Sequence, residues 1–233
     1  MTNVLLTGAS RGIGAAIRTA LTPGATVVGQ ATAASDGLVA ADLDQPGAAA
    51  ALWVEALARL GTIDVLINNA GVFEANPIDA DDAAWTAGWE RTMRINLTAS
   101  AELCRLAVLH WQERGVAGRI VNVASRAAYR GDSPAHWHYA ASKAGMVAMT
   151  KSIARGYAKD RILAFAICPG FTMTGMSDDY LASRGGDNLL ADIPLGRVAM
   201  PEEVAEMARW LALDAPASMT GAVLDVNGAS YVR

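Results

Sequence analysis

A short apolar run, Asn3-Val4-Leu5-Leu6, leads straight into Thr7-Gly8-Ala9-Ser10-Arg11-Gly12-Ile13-Gly14, and then into an Ala-rich segment, Ala15 to Leu21, of helical character. Strand, glycine turn and helix follow one another without a gap. Glycines let a backbone turn tightly and approach a bound phosphate. The helix that follows offers free N–H groups and a partial positive charge at its start. This is the context that a dinucleotide pyrophosphate site requires. The spacing departs from G-x-G-x-x-G, because three residues separate Gly8 from Gly12. An empty structural turn is the plainer reading of the same residues.

The rest of the chain repeats the alternation. Strand-like runs are expected at Val4–Leu6, Thr26–Val28, Leu38–Ala40, Val65–Asn68, Arg119–Val123, Leu163–Ile167 and Val223–Val226. Ala-rich segments with helical periodicity lie between them, at Ala48–Leu60, Trp89–Arg114, Ala140–Lys159 and Pro201–Leu213. Strands that are apolar on both faces and alternate with helices indicate a parallel sheet covered on both sides. The expectation is an α/β fold: a Rossmann-type, doubly wound, seven-stranded parallel sheet in one domain spanning 1–233. Ligands of such sheets sit at the carboxyl ends of the strands, near the switch in strand order. The link between Val28 and Leu38 is too short for a full crossover helix. Met176–Asp192 is polar, contains Gly185-Gly186 and lacks periodicity, which fits a lid over the substrate.

Composition narrows the function. Of 233 residues, 52% are hydrophobic, enough for a sizeable core. The net charge is −4 and no basic run stands out, so neither nucleic acid nor an anionic membrane is an expected partner. No apolar run approaches the roughly 18 residues of a membrane span. The first strand begins at about residue 3 and is expected to leave no room for a leader. Cys104 and Cys168 lie far apart without metal spacing and read as reduced thiols of a cytoplasmic protein. No metal site is expected.

Tyr139 and Lys143 are four residues apart, one turn on one helix face. An ammonium beside a phenol favours the phenolate and lowers a pKa that is about 10 in water. A phenol so tuned can exchange a proton with an alcohol or carbonyl oxygen. Ser125 stands fourteen residues earlier, after the strand that ends near Val123. Read alone, it would cap the segment that follows.

In this order the motifs resemble the short-chain dehydrogenase/reductase family in its single-domain form. The markers are Thr7–Gly14, Asp42-Leu43, Asn68-Asn69-Ala70-Gly71, Asn96, Ser125, Tyr139 with Lys143, and Pro169-Gly170 followed by Thr174. The tail from Ile193-Pro194-Leu195-Gly196-Arg197 to Thr220-Gly221 is similar to bacterial 3-oxoacyl-carrier-protein reductases and their relatives. The resemblance implies that Tyr139 is the general acid or base and that Lys143 tunes it and holds the nicotinamide ribose. It implies that Ser125 polarises the substrate oxygen and that Asn96 interrupts a helix to hold a relay water. Gly8, Ser10, Arg11, Gly12, Ile13, Gly14, Thr32, Asp42, Leu43, Asn69, Ala70, Gly71, Pro169, Gly170, Thr172 and Thr174 would contact the cofactor. A homotetramer is the family's assembly.

Where NAD-preferring relatives place an acidic residue after the second strand, this chain has Ala31 and Thr32. Arg11 could pair with a 2′-phosphate. The reading leans to NADP, with NAD as the alternative. His136 and Trp137 precede Tyr139, where the family lines its substrate pocket. They are either substrate contacts or part of a polar loop with one packed indole. The leading function is an NAD(P)-dependent oxidoreductase interconverting a secondary alcohol and a ketone, with a small molecule as substrate. A catalytically silent dinucleotide-binding sensor or scaffold, and a C=N or C=C reductase of the same family, are the alternatives.

Overall fold

The computed structural model describes residues 1–35, 37–173 and 190–233. The strands are β1 (Thr2–Leu6), β2 (Ala25–Ala31), β3 (Val39–Ala40), β4 (Val65–Asn68), β5 (Gly118–Val123), β6 (Ile162–Pro169) and β7 (Val223–Val226). They form one sheet in the order β3-β2-β1-β4-β5-β6-β7, and every neighbouring pair is parallel. The order reverses between β1 and β4, which opens a crevice beyond their carboxyl ends. The helices are α1 (Gly12–Leu21), α2 (Ala48–Leu60), α3 (Asp82–Met93), α4 (Ala99–Arg114), α5 (Ala127–Arg130), α6 (Trp137–Tyr157) and α7 (Pro201–Leu213).

Successive strand residues face opposite sides of the sheet, and here both sides are apolar. Val4, Leu6, Ile67, Val121 and Phe165 pack with Ile17 and Leu21 of α1 and with Val204, Ala208 and Leu211 of α7. The residues between them, Leu5, Leu66, Ile120 and Ala164, pack on the other face with Leu52 and Trp53 of α2, Leu103 and Trp111 of α4, and Ile153 of α6. Burying each large aliphatic or aromatic side chain contributes about 1.5–3 kcal/mol. Trp111 is fully buried, and its indole N–H donates to the Ile63 carbonyl at 2.7 Å. Gly118 makes room for it, since a Cβ there would overlap the indole.

The expected helices at Ala48–Leu60 and Pro201–Leu213 have those bounds. The helix expected over Trp89–Arg114 is two helices. α3 starts earlier, where the Asp81 carboxylate accepts from the Ala84 N–H at 2.9 Å. A π-helical turn at Arg94–Thr98 then separates α3 from α4. No helix lies among the described residues of the β2–β3 link. Residues 174–189 lie outside the described ones, and with them Thr174 and most of the expected lid. No described helix is long and apolar enough to cross a membrane.

Candidate active site

The turn after β1 is wound back on itself. Gly8 and Gly12 have φ of 65° and 53°, a region costly for other residues. A Cβ on Gly14 would overlap the Gly8 carbonyl, and one on Gly8 would come within 2.8 Å of the Ala70 Cα. The turn is stitched to the end of β4. Asn69 Nδ2 donates to the carbonyls of Thr7 (3.1 Å) and Gly8 (3.0 Å), and Thr7 Oγ1 accepts from the N–H groups of Asn69 and Ala70, both at 3.0 Å. Gln30, whose importance the sequence did not signal, braces the other side. Its Oε1 accepts from the Gly8 N–H at 2.8 Å and its Nε2 donates to the Ala41 carbonyl at 2.7 Å. Arg11 stands at the N-cap of α1 without a capping side-chain bond, and the first turn holds no acidic residue. The helix start therefore presents N–H groups and positive potential to an anion.

A cavity of about 620 Å³ opens on this turn. Gly8, Ser10, Arg11, Gly12, Ile13, Gly14, Thr32, Asp42, Leu43, Asn69, Ala70 and Gly71, the residues expected to contact a cofactor, all line it. Asp42 also has a local role, because its Oδ1 accepts from the Asp44 N–H at 3.1 Å. The glycine cradle and uncapped helix start fit a dinucleotide; Gly12–Gly14 would hold its pyrophosphate, and Thr32 and Asp42 would stand at its adenosine end.

A second cavity, about 200 Å³, shares Ile13, Asn69, Gly71 and Val72 with the first. Ser125, Tyr139 and Lys143 line it, with Pro169, Gly170 and Thr172 from the end of β6. A Cβ on Gly170 would come within 2.9 Å of the Asn227 Cα, so only glycine lets these strands' ends close up. Ser125 caps the segment that follows it and touches Tyr139. Its Oγ accepts from the Ala127 N–H at 3.1 Å, and its hydroxyl also bonds Tyr139.

The electrostatics differ from expectation. Tyr139 is partly exposed as a residue, but its phenolic end is enclosed. Burial pushes its pKa up to about 12, and the Ser125 hydrogen bond offsets only part of the rise. The same burial pulls Lys143 down to about 8. Lys143 Nζ donates to the Val123 carbonyl at 3.0 Å and lies 5.9 Å from the Tyr139 ring centroid. At that distance its charge does not offset the desolvation of the phenol, so the expected lowering is absent.

Asn96 is fully buried inside the π-helical turn. Its Oδ1 accepts from the Val72 N–H at 2.8 Å, and its Nδ2 donates to the Val72 carbonyl at 3.0 Å and to Ser142 Oγ at 3.2 Å. Asn96 Oδ1 and Lys143 Nζ both face Gly71, each 3.3 Å from where its Cβ would be.

Neither expected substrate contact lines the catalytic cavity among the described residues. Trp137 is 53% exposed and faces a separate hollow with Ile78 and Trp85. Residues two apart on a helix point about 200° apart, so Trp137 turns away from the site that Tyr139 enters. His136 is buried behind Phe73, their rings stacked with centroids 4.0 Å apart. Phe73 is the cavity-lining residue, edge-on to Tyr139 at 4.7 Å. Phe73, Arg126, Asp132 and Phe171 line the cavity without having been foreseen. Single loop residues carry no spacing signal that would have found them.

The family model described as enoyl-(acyl carrier protein) reductase matches residues 8–229. The 3-oxoacyl-[acyl-carrier-protein] reductase of Vibrio harveyi is 35% identical over 98% of this chain and 96% of that protein. The cis-4-hydroxycyclohexanecarboxylate dehydrogenase of Sinomonas cyclohexanicum is 35% identical over 96% of this chain and 94% of its own length. A protein of Agrobacterium tumefaciens described as a 2-deoxy-D-gluconate 3-dehydrogenase, solved with NADP bound, superposes with a TM-score of 0.89. It is 28% identical, over 100% of this chain and 97% of its own.

Proposed function

We propose that this chain, which belongs to the short-chain dehydrogenase/reductase family, interconverts a secondary alcohol and a ketone with NADP(H) as cofactor. The observation that carries this reading is the convergence of Ser125, Tyr139 and Lys143 on a cavity continuous with the glycine cradle. The bound nicotinamide supplies or accepts the hydride. The protein's part is position and protonation. Ser125 Oγ donates to the carbonyl oxygen and draws charge onto it. Tyr139, protonated at neutral pH because it is buried, gives its hydroxyl proton to that oxygen as it becomes an alkoxide. Lys143, held by the Val123 carbonyl, keeps a positive charge beside the phenolate so formed. Asn96 fixes Val72 and Ser142, and so sets the wall behind Gly71 and the turn of α6 that bears Lys143. For oxidation the proton runs in the opposite direction.

NADP is favoured over NAD by Arg11 at the cleft and by Ala31 and Thr32 at the end of β2, neither of which carries a carboxylate to repel a 2′-phosphate. Two hydroxyls directed at one acceptor suit an oxygen better than a C=C bond. Tyr139→Phe tests the assignment. With a panel of ketones it lowers NADPH-dependent turnover by at least about a thousandfold and leaves NADPH affinity within about twofold. A variant that still turns over at a tenth of the wild-type rate removes Tyr139 from the chemistry. A silent sensor would show no turnover in either protein. The same reading carries a homotetramer and a cytoplasmic setting, the latter in keeping with two buried free thiols. Sedimentation at four times 24.3 kDa is the expected mass, and a monomer would refute the tetramer.

A further inference from the structure

One buried amide joins the two ends of the cofactor cavity. Gln30 lies near the carboxyl end of β2, is 3% exposed and lines that cavity. Its side-chain Oε1 accepts from the Gly8 N–H, and its backbone carbonyl accepts from the Ala9 N–H, both at 2.8 Å. Two successive N–H groups of the glycine turn are thus tied to one residue of β2. At the other end of the amide, Nε2 donates to the Ala41 carbonyl at 2.7 Å. These partners fix which way the amide points, since a backbone N–H only donates and a carbonyl only accepts. Neither glutamate nor methionine, of similar length, could make both bonds.

The need for such a tie lies in β3. It consists of Val39 and Ala40 alone, at the edge of the sheet, and its register with β2 is two pairs, Gln30 with Val39 and Ala31 with Ala40. So short a strand has little hold of its own. Beyond it, the Ala41 N–H donates to the Ala31 carbonyl at 2.9 Å, and the Ala41 carbonyl takes the Gln30 amide. Asp42 and Leu43 of the cofactor cavity follow at once. Their place relative to the turn after β1 therefore passes through the Gln30 side chain. Gly29 lets the turn come close, because a Cβ there would lie 2.7 Å from the Ala9 Cβ.

We propose that Gln30 is a positioning residue for the dinucleotide. Its amide sets the separation between the turn that takes the pyrophosphate and the Asp42-Leu43 segment at the adenosine end, so that both meet one cofactor without rearrangement. The inference rests on the NADP(H) reading and deepens it. A ligand held at two points gains from their fixed separation and loses that gain when the separation wanders. A ligand that occupies one end alone does not depend on it. A purely structural Gln30 would stabilise the fold and leave the difference between two such ligands unchanged.

The test compares NADPH, which spans both ends, with adenosine 2′-monophosphate, which occupies one. The Kd of each is read by calorimetry for the wild type and for Gln30→Met, whose side chain fills similar space without either hydrogen bond. The variant is expected to bind NADPH at least about tenfold more weakly and adenosine 2′-monophosphate within about twofold of the wild type. Unchanged NADPH affinity, or equal weakening of both ligands, overturns the proposal. Hydrogen exchange at the Gly8 amide of the wild type needs no variant to fold. Saturating adenosine 2′-monophosphate is expected to slow it at least about threefold, because the Gln30 amide carries the ordering of one end to the other. Unchanged exchange at Gly8 in the ligand-bound wild type overturns the proposal as well. A wild type that binds neither ligand would fault the cofactor reading itself and this proposal with it, whereas the outcomes above, seen in a wild type that binds both, fault this proposal alone.

Discussion

At the scale of single residues, one cause acts on the two central groups in opposite directions. Enclosure disfavours charge, so it raises the Tyr139 phenol to about 12 and lowers the Lys143 ammonium to about 8. Tyr139 therefore keeps the proton that ketone reduction needs across the neutral range, and it is Lys143 that titrates first as pH rises. Because the folded pKa of Lys143 lies below its ordinary value of 10.5, its charge is present below about pH 8 and is lost above it. The kcat/KM for reduction is expected to be flat from about pH 6 to 8 and to fall at higher pH, tenfold per unit at the limit. A descending limb centred below pH 7 would mean that another group governs the profile. Chemistry at this scale was only half legible beforehand. The spacing of Tyr139 and Lys143 placed them on one face of α6, but their pKa shifts arise from the atoms that enclose them. Those come from loops distant in sequence, including Phe73 against Tyr139.

At the scale of elements, the break between α3 and α4 links the fold to the site. An α-helix has no carbonyl or N–H to spare at its centre, and the π-helical turn at Arg94–Thr98 is where Asn96 reaches across to the Val72 backbone. Asn96→Ala removes these bonds and the one to Ser142. The expected cost is about 2 kcal/mol, read from the urea midpoint. A drop of more than about tenfold in kcat/KM is expected with it, because the wall shared with Lys143 loosens. Unchanged stability and unchanged activity together would make the π turn incidental. Periodicity revealed the elements where packing alone dictates them, as in α2, α7 and the central strands. It ran α3 and α4 together because the π turn at Arg94–Thr98 keeps the chain helical and leaves no glycine or proline to mark the junction. It missed the start of α3 because one capping side chain, Asp81, marks it. Trp137 faces away from the catalytic cavity for a geometric reason: nearness in sequence to Tyr139 is not nearness in space on a helix, where the second residue along points the other way.

At the scale of the whole molecule, the strand order brings the site together. With β1 and β4 adjacent and the chain reversing between them, the glycine turn after β1, the Asn69–Gly71 segment after β4, Ser125 after β5 and Pro169–Gly170 at the end of β6 all emerge along one edge of the sheet. The sequence foretold this arrangement because the central strands are apolar on both faces and alternate with helical segments, a pattern few architectures satisfy. The width and contents of the substrate cavity were not foretold, since they depend on how the loop ends meet. The claim on which the others rest is that this edge takes NADPH. The most direct measurement is a fluorescence titration of the purified protein with NADPH and, in parallel, NADH. The account predicts saturable binding, with NADPH at least tenfold tighter, about 1.4 kcal/mol. Binding of neither dinucleotide would contradict it.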